Sequence, residues 1–197
     1  MVIGITGSFG SGKTSVAEMF GRLGAYVIDA DKICQSLMAP RKKVYKNIVK
    51  VFGKSILRKN STIDRKKLAD IVFNERSKLD QLNTLIHPEA KKAIGKIIQT
   101  KKKRKVIVID AALLIETNFY KKMDKLILIK TNIDRQIDRL VRAKGMTRKQ
   151  ILQRIRMQAP LKKKLALADF IIDNSGSKKQ TFIQVEKIWK LTSDIGQ

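Results

Sequence analysis

Three glycines, a lysine and a threonine near the start of the chain are the residues best suited to chemistry. From Gly7 to Thr14 the sequence reads Gly-Ser-Phe-Gly-Ser-Gly-Lys-Thr, the G-x-x-x-x-G-K-T spacing of a phosphate-binding loop. Gly7, Gly10 and Gly12 let the backbone take turns closed to residues with a Cβ, so successive N–H groups can point inward at a phosphate chain. A helix starting near Gly12 adds the partial positive charge of its N-terminus. Lys13 can reach the β- and γ-phosphates, and the Thr14 hydroxyl can hold Mg²⁺. Gly10, Ser11, Gly12, Lys13, Thr14 and Ser15 are therefore expected to bind a nucleotide. The bland alternative is a chance glycine turn, and a chain with 11 glycines in 197 residues seldom produces this pattern by accident.

Carboxylates and arginines supply the rest of the candidate chemistry. Asp29 and Asp31 follow the apolar run Tyr26-Val27-Ile28, and Asp110 ends another such run. Aspartates just past the carboxyl end of a strand sit where α/β proteins place their ligands. Asp110 has two readings: a magnesium contact through water, or a hydrogen-bonding cap on the strand end. Arg135, Arg139, Arg142, Arg148, Arg154 and Arg156 crowd a stretch with two helical patterns. That stretch is either a solvated helix pair or a lid whose arginines close over a transferring phosphoryl group.

The elements that must position these residues alternate between strand and helix. The first apolar residues suit a short buried strand, and Val16, Met19, Phe20 and Leu23 fall on one helical face after the loop. Residues 31–100 read as helical, with Asp64 and Ser77 as N-caps and Pro88 in the first turn of a helix. Continuous apolar runs at 106–110 and 125–129 read as fully buried strands, and 170–173 reads as a fifth strand. A helix is expected from Thr131 to about Lys144, stopped by Gly145. Thr147 with Gln150 forms a capping-box pair, and Ser177 with Gln180 caps a final helix carrying Ile183, Ile188, Trp189 and Leu191. The pattern predicts an α/β, three-layer architecture on a parallel sheet, with a helical insertion.

Composition bounds the function classes. A chain of 197 residues is long enough for one core domain with insertions. It opens on a strand pattern rather than a signal peptide, and no apolar run has the length of a membrane span. Cys34 is the single cysteine and reads as a packing residue, which fits a reducing cytoplasm. His87 is the single histidine, so a zinc site is not expected. The formal charge of +26 is the unusual number, with clusters at Arg41-Lys42-Lys43, Lys101 to Lys105 and Lys162-Lys163-Lys164. Aromatic residues do not interleave these clusters, as they would in a single-strand nucleic-acid platform. Compositional bias on solvated helix faces plus attraction of polyanionic substrates is the favoured reading over a dedicated nucleic-acid role.

The position after Asp110 narrows the choice of phosphate-loop protein. It is Ala111, where motor-type ATPases commonly carry a water-activating glutamate, and no N-K-x-D stretch of a GTPase is present. A small-molecule kinase remains. Here the chain resembles the dephospho-CoA kinase family, collinearly from Ile3 to Gly176. The matching stretches are the loop, Val27 to Asp31, Phe52-Gly53, Ile63-Asp64-Arg65, Ile71-Val72-Phe73 and Leu82-Asn83 leading to His87-Pro88. Further on come Asp110 through Leu113-Leu114 to Glu116, Arg139-Leu140, Arg154-Ile155, Gln158, Ala168-Asp169 and Ile172-Asp173-Asn174.

The resemblance implies a five-stranded parallel core of the phosphate-loop kinase type, made from 1–30, 105–130 and 166–197. It implies an acceptor-binding helical insertion at about 31–104 and a lid at about 131–165. It also implies MgATP as donor and the ribose 3′-hydroxyl of dephospho-CoA as acceptor, in a cytoplasmic, monomeric enzyme with no nucleic-acid or membrane partner. By position Asp31 would be the acceptor-side base, with Arg65, His87 and Glu116 contacting the acceptor. Lys13 would be the phosphate clamp, and Thr14 with Asp110 would serve magnesium. His87 before Pro88 also has a purely structural reading as a helix-boundary pair. The chain departs from the family pattern at Ser8, where a glycine is usual, and at Ala112, where a proline is usual. Ala143 replaces the usual lid arginine, leaving Arg139 with Arg142 or Lys144 for that role. Two other functions are compatible with the loop: a kinase for another small acceptor such as a nucleotide, and a basic nucleic-acid-associated NTPase.

Overall fold

The structure is a computed structural model and describes residues 1–193. The expected core range 166–197 therefore runs four residues past the description, and 194–197 lie outside it. The chain divides into two compact units, one made of Met1–Asp29 with the chain from Ile98 onward, the other of Ala30–Ile97.

The first unit is built on one parallel sheet. Its strands are β1 (Val2–Gly7), β2 (Tyr26–Asp29), β3 (Ile107–Asp110), β4 (Lys125–Lys130) and β5 (Phe170–Asp173), in the order β2-β3-β1-β4-β5. β1 lies at the centre, so Ile3 and Ile5 are fully buried, as are Val108 and Ile127 on its neighbours β3 and β4 and Ile172 on β5. Successive residues of β1, β3 and β4 are buried on both faces, which is why these strands read as unbroken apolar runs rather than alternating ones. The register sets Asp110 opposite both Ile5 and Asp29 at the carboxyl edge of the sheet, and Gly7 opposite Ile129.

Helix α1 (Lys13–Arg22) follows the loop and buries Val16, Ala17 and Phe20 against that core. The second unit holds α2 (Ala30–Leu37), α3 (Lys43–Phe52), α4 (Arg65–Asn74) and most of α5 (Arg76–Thr100). Its own cluster gathers Val44, Ile48, Ile56, Leu68, Val72 and Ile86, with Cys34 packed against it as a small apolar residue. Asp64 caps α4, accepting from the N–H groups of Lys66 and Lys67. Back in the first unit, α6 (Ile133–Lys144), α7 (Arg148–Arg156) and α8 (Leu161–Leu167) precede β5, and α9 (Lys178–Ser193) follows it.

Several local expectations change. Pro88 lies inside the 25-residue α5 rather than in a first turn. Leu82, Ile86 and Ala90, spaced four apart, anchor that helix in its cluster and outweigh the one backbone bond that proline removes. Ser77 is not a cap but sits inside α5, donating its hydroxyl to Glu75. Asn132, not Thr131, caps α6, accepting from the N–H groups of Asp134 and Arg135. On α9 the buried face is Thr181, Val185, Ile188 and Thr192, and Ile183 and Leu191 are exposed. The Thr147–Gln150 capping box forms, and the Ser177–Gln180 exchange of hydrogen bonds opens α9. Among the described residues no helix is long and apolar enough to cross a membrane.

Candidate active site

The loop is a tight turn between β1 and α1 that only glycine can complete. Gly10 and Gly12 have φ values of 82° and 90°, in the left-handed region. A Cβ on Gly12 would run into the Asn174 amide, and one on Gly10 into Leu140. Gly12 is also the N-cap of α1 and offers no side chain to cap it, so the first N–H groups of that helix receive no side-chain acceptor. The Ser11 hydroxyl is buried without a hydrogen-bond partner. A turn with orphan donors at a helix N-terminus is what an anion satisfies.

Other elements hold this turn in shape. Thr131 and Asn174 both donate to the Ser11 carbonyl, each at 2.9 Å. Asn174 is itself oriented by the buried Thr181, whose hydroxyl donates to its Oδ1 at 3.0 Å. The tip residue Phe9 is gripped from the α6–α8 region. Its N–H donates to Gln158 Oε1 at 2.8 Å, and its carbonyl accepts from the Gln136 amide. The Phe9 ring packs with Ile137, Leu140 and Ile151, with the cations of Arg154 and Lys144 at 5.2 and 5.4 Å from its centroid.

Lys13 is half-buried and donates to the carbonyls of Ser8 at 3.1 Å and Gly7 at 3.4 Å. Thr14 donates to Asp110 Oδ2 at 2.7 Å, linking the start of α1 to the end of β3. Among the described residues no group of three or more His, Cys, Asp or Glu side chains converges to hold a metal ion. A hydroxyl and a carboxylate are hard oxygen donors, and such a sparse set suits magnesium that keeps its waters and shares the phosphates of a nucleotide. The pair therefore fits that ion.

Of the expected lid arginines, Arg139 donates to the Asn174 carbonyl at 3.1 Å and Arg142 is exposed. Arg135 donates to the Ser175 carbonyl. Arg135, unlike Arg139 and Arg142, lines an open cleft of about 640 Å³ together with Lys130, Asn132, Asp173, Gly176 and Gln180. Asp173 on its edge is held below the usual carboxylate range by the hydroxyl and N–H of Ser175, with help from Lys130 and Arg135. Glu116, after β3, accepts from the Ala159 N–H at 2.7 Å and pairs with Lys164 at 3.4 Å. Asp31, Arg65 and His87 belong to the second unit. Asp31 is exposed in the first turn of α2, Arg65 is exposed at the start of α4, and His87 is half-buried in mid α5.

Thr131, Gln136, Gln158, Lys164, Asn174 and Thr181 are not candidate site residues from sequence alone. Gln158 and Asn174 lay within the matching stretches, which was their only signal. Gln136 stands beside Ile137 on the buried side of α6, where a glutamine is out of pattern. Lys164 offered nothing, being one of three consecutive lysines, yet its side chain is 1% exposed.

A family model described as dephospho-CoA kinase matches residues 1–180. A dephospho-CoA kinase of Aquifex aeolicus is 42% identical over 193 residues, covering 98% of each chain. One from Carboxydothermus hydrogenoformans is 39% identical over 194 residues, with 96% and 94% covered. Among solved structures, a dephospho-CoA kinase from Campylobacter jejuni superposes with a TM-score of 0.71 at 26% identity, covering 100% of this chain and 98% of that one.

Proposed function

The chain belongs to the dephospho-CoA kinase family, and from that premise we propose how its residues carry out the reaction. The enzyme is a phosphotransferase with an alcohol acceptor: it moves the γ-phosphoryl group of ATP to the ribose 3′-hydroxyl of dephospho-CoA, giving coenzyme A and ADP. The carrying observation is the family match over residues 1–180 on a chain whose loop is built for a polyphosphate. The readings as a kinase for another acceptor or a nucleic-acid NTPase are not favoured.

In this reading the N–H groups from Gly10 to Ser15 receive the phosphates, and the cleft beside Asn132 and Arg135 takes the nucleoside end of ATP. Lys13 leaves its carbonyl partners for the phosphates, where a fixed cation stabilises charge that shifts during transfer. Thr14 and Asp110 would hold magnesium, which neutralises phosphate charge when bound. Asp31 orients the 3′-hydroxyl. As that oxygen bonds to the γ-phosphorus, the bond to the β–γ bridging oxygen breaks and the hydroxyl proton passes to Asp31. Arg139 and Arg142 add cations on the lid formed by α6 to α8, while Arg65, His87 and Glu116 serve the acceptor. A monomer in the cytoplasm suffices, with the +26 charge acting as a diffuse attractor for two polyanionic substrates.

Mass spectrometry of dephospho-CoA incubated with the protein and MgATP tests this. The expected result is a gain of one phosphate; no gain under conditions where ADP binds would overturn the assignment.

A further inference from the structure

Lys162, Lys163 and Lys164 share one short helix, but only the last is enclosed, at 1% exposure. An ammonium leaves water at a heavy cost unless a counter-charge and acceptors receive it. Glu116 provides the counter-charge at 3.4 Å and is itself fixed by the Ala159 N–H at 2.7 Å. The second partner of Lys164 is the Gly7 carbonyl at 3.5 Å. That same oxygen accepts from Lys13 at 3.4 Å. Two ammonium groups thus meet at one carbonyl where β1 gives way to the phosphate loop, and the loop motif accounts for only one of them.

We infer that Lys164 is a positioning residue for the phosphate loop: it holds the Gly7 carbonyl and, by like-charge repulsion, directs Lys13 toward the nucleotide phosphates. The two cations are not equally free to respond. Lys164 is enclosed and tied to Glu116, whereas Lys13 is half-buried at the end of a flexible four-carbon stem, so their repulsion displaces Lys13. With Lys13 engaged on a phosphate, Lys164 still satisfies the Gly7 carbonyl, and the turn keeps its shape. Glu116 opposes the burial that pulls the Lys164 pKa down, which favours the charged form that the device needs. The inference rests on the reading that this loop binds a nucleotide.

The test is calorimetric binding of ADP, which needs no acceptor, to the wild type, Lys164→Met and the double variant Lys164→Met with Glu116→Gln, alongside thermal melts. Lys164→Met alone should melt lower, because Glu116 is left without its counter-charge. The double variant replaces both charges with neutral groups of similar size and should recover most of that loss. ADP affinity should nevertheless stay roughly tenfold weaker in both, since the hydrogen bond and charge at Gly7 are still missing. In turnover by Lys164→Met, KM for ATP should rise more than KM for dephospho-CoA. A double variant that binds ADP like the wild type would overturn the inference and leave the pair a structural fastening. If it fails to fold, an unchanged ADP affinity in Lys164→Met is equally decisive against it. A wild type that binds no ADP would instead overturn the nucleotide reading beneath both.

Discussion

The Thr14 hydroxyl donates to Asp110 Oδ2 at 2.7 Å across 96 residues of sequence, so the two oxygen donors proposed for magnesium already converge. Asp110→Asn preserves the shape but removes the negative charge, and Thr14→Ala removes the hydroxyl. Initial rates across a magnesium titration should shift to higher magnesium in both variants, with activity lower by about 10–100-fold. An unchanged magnesium dependence in Asp110→Asn would leave Asp110 a strand-end cap only.

Asp29 and Asp31 stand two residues apart but in different elements. Asp29 closes β2 opposite Asp110 in the ladder, and Asp31 is exposed in the first turn of α2. Asp31→Asn is expected to lower kcat by roughly 10²–10⁴-fold, because the amide cannot accept the hydroxyl proton. ADP binding should hardly move. Asp29→Asn should cost less; steady-state kinetics showing the reverse order would exchange the two assignments.

Gln136 is buried with its amide on the Phe9 carbonyl and its Oε1 accepting from Ser8 at 3.2 Å. Gln136→Leu keeps the volume and strands both groups. Urea unfolding should show a loss of about 1–3 kcal/mol. ADP affinity should fall with it, since the Phe9 end of the loop is then held by Gln158 rather than by both glutamines. Wild-type stability and affinity together would show that the grip on Phe9 is dispensable.

Burial holds the Lys164 pKa below its ordinary 10.5, against the opposing effect of Glu116. Between the lowered folded value and 10.5 the unfolded chain binds more protons at this group, so its share of the unfolding free energy rises with pH and is lost as pH falls through the folded value. Denaturant unfolding of the wild type and Lys164→Met at several alkaline pH values should therefore diverge, with the wild type gaining relative stability as pH increases through that window. All other basic groups are common to both proteins. Parallel curves would mean that Lys164 titrates as an ordinary surface lysine.

What could be read from local sequence is whatever local physics enforces. Gly7, Gly10 and Gly12 are legible because left-handed turns and an uncapped helix start need glycine wherever the loop sits, and Lys13 and Thr14 because their chemistry toward a phosphate fixes their spacing from those glycines. The core strands of the parallel sheet are legible because burial on both faces demands unbroken apolar runs, and Asp64, Thr147 and Gln150 because a cap is a contact within one turn. Pro88 and Ser77 misled for the complementary reason: local preferences worth about one to three kilocalories yield to the packing of Leu82, Ile86 and Ala90. The strand order β2-β3-β1-β4-β5 pairs strands that are remote in sequence, and the hold of Thr131 and Asn174 on the Ser11 carbonyl and the grip of Gln136 and Gln158 on Phe9 join residues more than a hundred positions apart. Lys164 is the clearest case. Its neighbours in sequence describe a solvated lysine run, and only the fold brings a carboxylate and the Gly7 carbonyl to it, because desolvating a charge depends on what surrounds it in space.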